Sequence, residues 1–498
     1  MWGQATQDEP EWGGVMFSER DFRRVSDYIW ELPAGHQTEM RVPARLYGSE
    51  VVLRQALQDA SVQQLANVAM LPGVVRRALA MPDVHQGYGF PIGGVAAFRS
   101  EGGIVSPGGV GYDINCGVRM LTSSLTQEEI APYLGELTTR LFRNCPSGVG
   151  EGGGISLSFS DLNAVLEQGA RWAKLRGYGT EDDLERTESS GCIAGARSDA
   201  VPDRAKERGR PQLGSLGAGN HFLEIDVVDE VDDAAAADVF GLRQGCVVVQ
   251  IHCGSRGLGH EVCEQYLRRF QGAPERYGIP IPDRELVAAP VSSPEGRDYI
   301  AAMAAAANYA FANRQVLAHL VRRSFEEVLA GRLRHWGLNQ VYDVAHNIAK
   351  MELHDVDGTL TELLVHRKGA TRAFPADHLE LPEVYRSTGQ PVLVPGSMGT
   401  ASHVLVGTQS AMQETFGSTC HGAGRMMSRH AALRLARGEQ VRDDLLRQGI
   451  EVRTGSMRGL AEEAPHAYKD IDLVVDSVVG AGLARKVARL RPIAVIKG

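Results

Sequence analysis

The loop formed by residues 108–118 places a carboxylate, Asp113, and a thiol, Cys116, in a segment that contains four glycines. Glycine reaches backbone dihedral angles that are closed to other residues, so such a loop can fold back and direct both side chains at one point. A thiolate and a carboxylate together suit a divalent transition-metal ion. The loop therefore predicts two ligands of a metal site whose other ligands come from elsewhere in the chain.

Four histidines are candidates for the missing ligands. His252 and His346 each end an apolar, strand-like run, and His221 opens another. His421 lies in the glycine-rich segment Thr-Cys-His-Gly-Ala-Gly-Arg. A single histidine of this kind is more often a core or loop residue. Four of them, combined with the carboxylate and the thiol of the loop, favour a metal site.

Three glycine-flanked segments, 217–220, 395–400 and 421–425, expose backbone N–H groups of the kind that cradle phosphates. The last is expected to run into a helix, whose N-terminus favours anions. Arg256 and Arg425 lie in motif loops, and guanidinium groups suit phosphate geometry. Turn formation and solvated surface charge are the alternative roles of these glycines and arginines. No P-loop, dinucleotide fingerprint or Lys-x-Asp-Gly motif occurs, which disfavours ordinary nucleotide-binding folds and lysine-nucleotidylating ligases.

The elements that must position these residues are both strands and helices. Short apolar runs broken by glycine and proline predict strands, which are expected within 81–121 and at 221–228, 246–252, 340–344, 363–366, 392–394 and 404–406. Apolar periodicity and capping signals predict helices at 50–70, from Asp161 to 175, from a Ser292/Glu295 capping box to Gly331, at 425–437 and at 473–490. The pattern predicts an α+β fold with a β-sheet core, surrounding helices and a peripheral helical insertion at about 155–212.

Bulk composition is that of a soluble globular protein, with 498 residues, 43% hydrophobic and 23% charged. The formal net charge of −9 argues against binding nucleic acid by overall charge, although a local basic cleft is compatible with it. Seven scattered cysteines, the polar residues 1–14 and the polar interruptions of the apolar stretch 301–321 predict a cytoplasmic protein without disulfides, signal peptide or membrane span. No composition break divides the chain, so a single domain over 1–498 is expected.

The motif-like segments together resemble the RtcB family of RNA-splicing ligases. The similarity runs in order from about residue 80 to the last residue. It is carried by the segments 81–94, 106–118, 217–224, 251–259, 343–347, 366–374, 394–407, 420–425 and the ending Val-Ile-Lys-Gly. Several of these segments are long enough to be specific. The resemblance implies the integrated, single-domain fold of that family.

The resemblance implies a pair of manganese ions. Asp113 and His221 would hold the first ion, and His252 and His346 would hold the second. Cys116 would bridge both as a thiolate, which two cations strongly favour over the thiol. Two metal ions about 3.5–4 Å apart can clamp phosphate oxygens during in-line transfer. Ligand softness alone favours zinc, so manganese is expected only from the family.

The resemblance also implies GTP as cofactor, His421 as the nucleophile that takes GMP, and Asp83 as the carboxylate that orients it. Arg256 and Arg425 would contact RNA phosphates. The implied guanylate pocket consists of Asn220, His221, Phe222, Leu223, Glu224, His346, Asn347, Pro395, Gly396, Ser397, Met398, Ser402, His421, Gly422, Ala423, Gly424 and Lys497. Without the resemblance, Lys497 would be interpreted as part of a frayed tail.

The implied activity joins RNA 2′,3′-cyclic phosphate or 3′-phosphate ends to 5′-hydroxyl ends, in tRNA splicing or RNA repair. The partner is then RNA, either tRNA halves or broken ends, and the need for an archease-type activator is open. A metal phosphoesterase that opens cyclic phosphates without sealing and a non-enzymatic RNA scaffold are the alternatives. Cys253 and His403 depart from residues that are frequent in the family, and either could alter pocket packing or add a stray metal ligand.

Overall fold

The structure is a computed structural model that describes residues 17–498. The prediction that residues 1–14 carry no signal peptide lies outside these residues. Among the residues described, no helix is both long and apolar enough to cross a membrane. The strands are β1 Arg23–Ser26, β2 Ile29–Leu32, β3 Ala44–Tyr47, β4 Val74–His85, β5 Ile92–Arg99, β6 Ile104–Val105, β7 Gly117–Thr126, β8 Phe222–Val231, β9 Cys246–Cys253, β10 Ala289–Pro290, β11 Asn339–Ala345, β12 Asn347–Val356, β13 Thr359–Lys368, β14 Ala370–Arg372, β15 Pro391–Val394, β16 Ser402–Gly407, β17 Ser418–Cys420, β18 Glu451–Thr454 and β19 Ala484–Lys497.

The α-helices lie mostly between these strands. They are α1 Glu50–Ala56, α2 Ser61–Val68, α3 Gln127–Ile130, α4 Leu134–Asn144, α5 Phe159–Gln168, α6 Ala170–Leu175, α7 Glu181–Glu185, α8 Asp203–Gly209, α9 Ala234–Phe240, α10 Arg256–Arg269, α11 Ala273–Tyr277, α12 Pro294–Leu329, α13 Gln409–Thr415, α14 Arg429–Leu435, α15 Gly438–Arg447, α16 Met457–Glu462 and α17 Ile471–Gly480. The predicted α+β class is confirmed.

Two large sheets form the framework. One has seven strands in the order β1-β2-β3-β4-β5-β13-β12, and the other has eight, in the order β11-β7-β9-β8-β19-β16-β15 with β18 beside β19. Most neighbours are antiparallel, whereas β3/β4 and β18/β19 are parallel. The strands β6 and β10 form a separate two-stranded sheet, and so do β14 and β17. Neighbours in a sheet are therefore often distant in the chain, and this brings scattered motifs together.

The helix α12 covers one face of the eight-stranded sheet. Its Leu317 and Phe325 share a buried apolar cluster with Leu223 of β8 and Ile251 of β9. The helix begins at Pro294 and is capped by Ser293, whose Oγ accepts a hydrogen bond from the backbone N–H two residues after that proline. The prediction of a Ser292/Glu295 capping box is therefore wrong by one residue. The predicted end near residue 331 agrees with the observed end at Leu329.

Two predicted helices are each broken in two. The stretch 50–70 forms α1 and α2, because Asp59 accepts hydrogen bonds from Ser61 and makes a local turn between them. The stretch predicted from Asp161 is capped instead by Ser158, and it breaks at Gly169, whose φ of +57° lies outside the helical region. Local side-chain hydrogen bonds of this kind compete with helix formation.

Two further boundaries were predicted wrongly near the C-terminus. The helix expected at 473–490 ends at Gly480, and the chain then enters the long strand β19. Gly482 turns the chain with a φ of +75°, and pairing with β8 and β16 then decides the conformation over local propensity. The helix expected at 425–437 begins only at Arg429, capped by Ser428. The segment 421–425 therefore does not run directly into a helix.

The helical segment 155–212 packs on α12 and α10. It also contributes Glu188, whose carboxylate accepts hydrogen bonds from the backbone N–H of Ala345 at 2.9 Å and from Lys350 Nζ at 3.0 Å. Both the glutamate and the alanine are buried. The segment thus supports the strand end that carries His346. Its description as an insertion in a single domain stays a prediction.

Candidate functional site

One edge of the eight-stranded sheet gathers the ends of five neighbouring strands. The paired residues at this edge are Ala345 of β11, Gly117 of β7, Cys253 of β9, Phe222 of β8 and Lys497 of β19. Cys116, His221, His252 and His346 each lie next to one of these positions in the chain. Strand pairing, rather than proximity in sequence, therefore collects the predicted ligands at a common edge.

The loop before β7 holds Asp113 and Cys116 in fixed positions. Residues 103–123 are buried except for Tyr112, which is exposed, and Asp113, which is half-buried. Asn115 has a left-handed backbone, with φ of +52°, so the chain turns tightly and Cys116 N donates to Asp113 O at 3.0 Å. The turn directs the carboxylate and the thiol toward each other, as the glycine-rich sequence predicted.

A buried arginine from α12 braces this loop. Arg314 donates to Asn115 O and to Cys253 O, both at 2.8 Å, and pairs with the carboxylate of Asp343 at 2.8 Å. Arg119 shares the same carboxylate at 2.7 Å, and all three charged side chains are fully buried. The network fixes the residues that adjoin two of the candidate ligands, so the long helix acts as a support for the site.

The five candidate ligands form two groups of three that share Cys116. One group is Asp113, Cys116 and His221, and the other is Cys116, His252 and His346, with ligand atoms within 4.8 Å of one another in each. Cys116 Sγ lies 3.2 Å from His221 Nε2 and 3.3 Å from His252 Nε2. His221 Nε2 lies 2.8 Å from Asp113 Oδ2, and His252 Nε2 lies 3.2 Å from His346 Nε2. One thiol therefore faces both groups.

Burial sets the ionisation of this cluster. It raises the pKa of the Cys116 thiol well above its usual range, and the carboxylate of Asp113 raises it further. It lowers the pKa of His252 and of His346, so both rings are neutral near pH 7. Burial alone would raise the pKa of Asp113, but His221, together with His260 and Cys116, outweighs it and lowers this pKa below its ordinary value. The neutral imidazoles are in the form that binds metal ions.

The donor set fits a pair of divalent transition-metal ions. Sulfur, nitrogen and oxygen donors converge, and each histidine uses Nε2 toward the shared thiol or its neighbour. A buried thiol between three imidazoles and a carboxylate has few good hydrogen-bond donors, whereas two cations would neutralise it. The arrangement therefore accounts for why five side chains with metal-binding atoms are concentrated at one edge of the sheet.

His421 lies directly beside this cluster. Its ring centroid is 4.9 Å from that of His346. Its Nδ1 is bonded to Asp83 Oδ2 at 2.5 Å, and the same oxygen accepts from the backbone N–H groups of His421 and Gly422. Asp83 is fully buried, and although burial alone would raise its pKa, His421 outweighs this and lowers it. The carboxylate thus fixes the ring and leaves Nε2 free of that bond.

The five ligand candidates and His421 open into one cavity of about 850 Å³. Its wall is formed by the metal-ligand candidates, by His421 and by loops from both large sheets. The predicted pocket residues that line it are Asn220, His221, Phe222, His346, Asn347, Pro395, Gly396, Ser397, Met398, His421, Gly422, Ala423, Gly424 and Lys497. A nucleotide and an RNA end could both be accommodated in a cavity of this size.

Comparison with known proteins identifies the family. The family model described as "tRNA-splicing ligase RtcB" matches residues 64–498. The chain belongs to the RtcB family. The tRNA-splicing ligase RtcB of Thermococcus kodakarensis is 55% identical over 476 residues, which cover 96% of this chain and 98% of that protein. The protein of the same name from Archaeoglobus fulgidus has the same identity and coverage, and that of Methanococcus maripaludis is 49% identical over 95% of this chain and 99% of its own length.

Three residues that the RtcB resemblance assigned to the guanylate pocket are not among those that line the cavity. Leu223 alternates to the opposite face of β8 and joins the apolar cluster beneath α12. Glu224 is buried on the same strand, and burial raises its pKa well above its usual range. Ser402 lies behind the loop 395–398, where its Oγ accepts a hydrogen bond from Gly396 N at 3.1 Å. Direct contact with a ligand is not evident for these three residues.

Lys497 belongs to the eight-stranded sheet of this RtcB protein. It is the last residue of β19, is only 3% exposed, and lies over the ring of Phe222 with its Nζ 5.7 Å from the ring centroid. Burial lowers the pKa of its ammonium group, while Glu463 and Glu224 act in the opposite direction. A frayed tail would be the ordinary expectation for a penultimate lysine, and it is wrong here.

The two arginines expected at RNA phosphates both line the cavity but already have protein partners. Arg256 donates from Nε to Ser215 Oγ at 3.0 Å and from Nη2 to Gly148 O at 2.9 Å. Arg425 pairs with Glu463 at 3.0 Å and lies over the ring of Tyr468. These contacts hold both side chains in place, and they also occupy part of their hydrogen-bonding capacity.

Cys253 and His403, which were expected to depart from the RtcB pattern, both have local packing partners. Cys253 Sγ points away from the ligand cluster and contacts Ser215 O at 3.6 Å and Asn313 Nδ2 at 3.4 Å. His403 Nε2 lies 2.8 Å from Asp472 Oδ1. Neither belongs to a potential ligand group in the described part of the chain. The sequence-based concern about stray metal ligands therefore finds no support at either residue.

Sequence reasoning missed Lys469, a buried residue that adjoins the site. Its Nζ donates to Pro82 O at 3.0 Å and to Val84 O at 2.5 Å, the carbonyls on either side of Asp83. Its own backbone N–H donates to Gly424 O at 3.0 Å. Burial lowers the pKa of Lys469 to about 8. Nothing in the sequence around it resembles a motif, because its role depends on strand β4 lying alongside.

Proposed function

We propose that this chain is a GTP- and Mn²⁺-dependent RNA ligase. It joins an RNA end that carries a 2′,3′-cyclic phosphate or a 3′-phosphate to a 5′-hydroxyl end, through a guanylylated His421. One observation carries the proposal: two potential ligand groups share Cys116 and lie beside His421, whose Nδ1 is held by the buried Asp83. The RtcB relatives, which carry the name tRNA-splicing ligase, support the same activity.

His421 is suited to take GMP from GTP. With Nδ1–H donating to Asp83, the lone pair of Nε2 is available as the nucleophile. Nε2 attacks the α-phosphorus of GTP, the bond to pyrophosphate breaks, and a phosphoramidate forms. The ring gains positive charge as this bond forms, and the ionised carboxylate of Asp83 stabilises that charge. A buried carboxylate beside a histidine serves the same purpose in hydrolases.

The ligand assignment follows the two groups of side chains. Asp113 and His221 would hold one Mn²⁺, His252 and His346 would hold the other, and Cys116 would bridge them. When bound, such ions polarise phosphate oxygens and stabilise the negative charge that develops during transfer. Donor softness favours zinc, so the choice of manganese rests on the family resemblance.

The guanylate would be held by two loops in which certain glycine positions cannot carry a side chain. A Cβ atom at Gly424 would lie 2.3 Å from Asp83 O, and one at Gly396 would lie 2.0 Å from Ala401 O. At these two positions the backbone packs too tightly against its neighbours for a residue with a side chain. The backbone of both loops therefore stays close to the cavity. Lys497 supplies a positive charge at the cavity wall.

The remaining steps transfer the guanylyl group and close the RNA. Water first opens a cyclic phosphate to a 3′-phosphate. An oxygen of that phosphate attacks the phosphorus on His421, the P–N bond breaks, and the RNA end becomes activated by GMP. The 5′-hydroxyl of the second RNA then attacks the RNA phosphorus, GMP leaves, and a phosphodiester forms. Arg256 and Arg425 are proposed to contact phosphates along this path.

The partner is therefore RNA, as tRNA halves or broken ends, and an archease-type activator stays an open candidate. The second candidate function is a metal phosphoesterase, which the shared ligand cluster alone would also support. Such an enzyme needs neither a histidine nucleophile nor a nucleotide pocket. The carboxylate-bonded His421 favours ligation over simple hydrolysis.

The test uses two oligonucleotides, one ending in a 2′,3′-cyclic phosphate and one beginning with a 5′-hydroxyl, incubated with GTP and each of Mn²⁺, Zn²⁺ and Co²⁺. A ligase gives a joined product that requires GTP. A phosphoesterase gives only a 3′-phosphate, with or without GTP, and a scaffold changes neither strand. His421→Ala should abolish joining, whereas His335→Ala, at an exposed histidine outside the cavity lining, should not.

A further inference from the structure

Three aromatic rings form a small cluster at the wall of the cavity. The ring of Tyr112 is stacked on that of His260, with centroids 5.8 Å apart and an interplanar angle of 29°. Tyr88 meets Tyr112 edge to face, with centroids 5.9 Å apart and an angle of 69°. All three residues line the cavity. The three rings, named here the aromatic shelf, are not used by any step described above.

Tyr112 is unusual in its surroundings because it is exposed. Its relative exposure is 37%, although all of its neighbours from 103 to 123 are buried except the half-buried Asp113. An exposed tyrosine side chain in a buried, glycine-rich loop contributes little apolar burial to the stability of the fold. Its two neighbouring rings hold it in one orientation, and the exposed part of the side chain lies in the cavity wall, where a ligand can reach it.

The aromatic shelf adjoins both the metal-ligand cluster and a buried cation. Tyr112 immediately precedes Asp113, a candidate ligand. Lys368 lines the same part of the cavity, and its Nζ donates to Tyr88 O at 2.6 Å and to Phe90 O at 3.0 Å. A phosphate held at the metal-ligand cluster would thus place the base of the same nucleotide near the shelf, because only one sugar separates the two.

We propose that the ring of Tyr112, which contacts the rings of Tyr88 and His260, is the platform on which the terminal nucleobase of an RNA end stacks. The inference rests on the proposed function and names a binding subsite for its substrate. Stacking on an aromatic ring tolerates every base, since each has a π face. A ligase that joins ends of differing sequence needs such a contact, and a hydrogen-bonding pocket would restrict it to one base.

The experiment compares the wild type with Tyr112→Ala, Tyr112→Phe and a matched control, Tyr277→Ala. Tyr277 has the same exposure of 37% but does not line the cavity. Equilibrium binding is measured with RNA strands that carry 2-aminopurine as the terminal base, at the 3′-phosphate end or at the 5′-hydroxyl end. Joining kinetics use the same strands with the terminal base present or replaced by an abasic site.

Tyr112→Ala should raise KM for joining about 5- to 150-fold and leave kcat nearly unchanged, the range expected for one base stacked on one ring. Tyr112→Phe and Tyr277→Ala should behave as the wild type. Wild-type protein should quench 2-aminopurine at one end, and Tyr112→Ala should not. Removing the base at that end should raise KM of the wild type by the same factor and should hardly change KM of Tyr112→Ala. This difference identifies the RNA end whose base stacks.

Three results would overturn the inference. The loss of joining caused by the abasic site and that caused by Tyr112→Ala are compared with the loss when both changes are combined. If the combined loss equals the product of the separate losses at both RNA ends, the ring and the base do not contact each other. If Tyr112→Ala reduces formation of the GMP adduct as much as it reduces joining, the ring contacts the guanine nucleotide instead of the RNA. If wild-type protein binds RNA without quenching at either end, no terminal base stacks. Failure of the proposed function is distinct, because the wild type would then join no RNA while the binding assay still reports on stacking.

Discussion

The replacement Asp83→Asn tests how the carboxylate beside His421 contributes to guanylylation. Asp83 Oδ2 accepts three hydrogen bonds, from His421 Nδ1 at 2.5 Å, His421 N at 2.8 Å and Gly422 N at 3.3 Å. Asparagine has nearly the same shape, and the two backbone donors require its oxygen to occupy the same place. The change therefore removes the charge and keeps the orientation of the ring.

The magnitude follows from the loss of a charge-assisted bond. A hydrogen bond to a charged group contributes roughly 1.5–3 kcal/mol. If that amount is lost as His421 becomes cationic in the transition state, the rate falls about 10- to 150-fold at 1.36 kcal/mol for each factor of ten. The fall should appear in the rate of adduct formation at saturating GTP, because Asp83 lies behind the ring and outside the cavity lining.

The assay is single-turnover formation of the GMP adduct from α-labelled GTP, quenched in alkali, where a phosphoramidate survives. Asp183→Asn is the control, since Asp183 is also buried, at 2% exposure, but belongs to α7 and lies outside the cavity lining. Thermal unfolding verifies that both variants fold. A rate for Asp83→Asn within threefold of the wild type would refute the reasoning, because the carboxylate would then do no more than orient the ring.

Three further results are expected. Cys116→Ala should reduce bound metal at both positions, whereas His252→Ala should reduce mainly one, as measured by elemental analysis after dialysis; equal losses would contradict a bridging thiol. Arg314→Leu should lower the free energy of unfolding by about 3–5 kcal/mol in denaturant titrations, because it leaves the buried Asp343 short of a partner; a loss below 1 kcal/mol would contradict the bracing role. Burial raises the pKa of Asp226 to about 7, so wild-type stability should fall as pH rises from about 4 to 7. Asp226→Asn should lose this part of the pH dependence and should be more stable than the wild type above pH 7. Parallel pH profiles of Tm for the two proteins would contradict this.

The sequence was informative where chemistry depends on residue type. Asp113 and Cys116 could be paired from one loop, because glycines on both sides imply a tight turn. The histidines could be suspected as a set because they adjoin strand-like runs. Which histidine belongs with which partner could not be derived from spacing, since that depends on the order of strands in the sheet. The resemblance to the RtcB family supplied the grouping, and the two ligand groups of the structure have the same membership.

Other residues could not be predicted because long-range packing determines their positions. The segment after Gly480 has a helix-compatible composition, yet it becomes the strand β19 because β8 and β16 supply partners on both sides. That strand carries Lys497 into the cavity wall. Lys469 lies outside every recognised motif, because it acts through carbonyl groups of β4. Tyr112 lies within the loop 108–118, but its exposure in this buried loop could not be predicted from the sequence.

The central claim is that His421 carries the guanylyl group, and intact-mass measurement tests it most directly. The protein is incubated with GTP and Mn²⁺ and then analysed before and after treatment with acid or alkali. A mass increase of one guanylyl group is expected, lost in acid, retained in alkali, and absent in His421→Ala. The absence of any adduct with GTP under every divalent ion, or an adduct that persists in His421→Ala, would contradict the account.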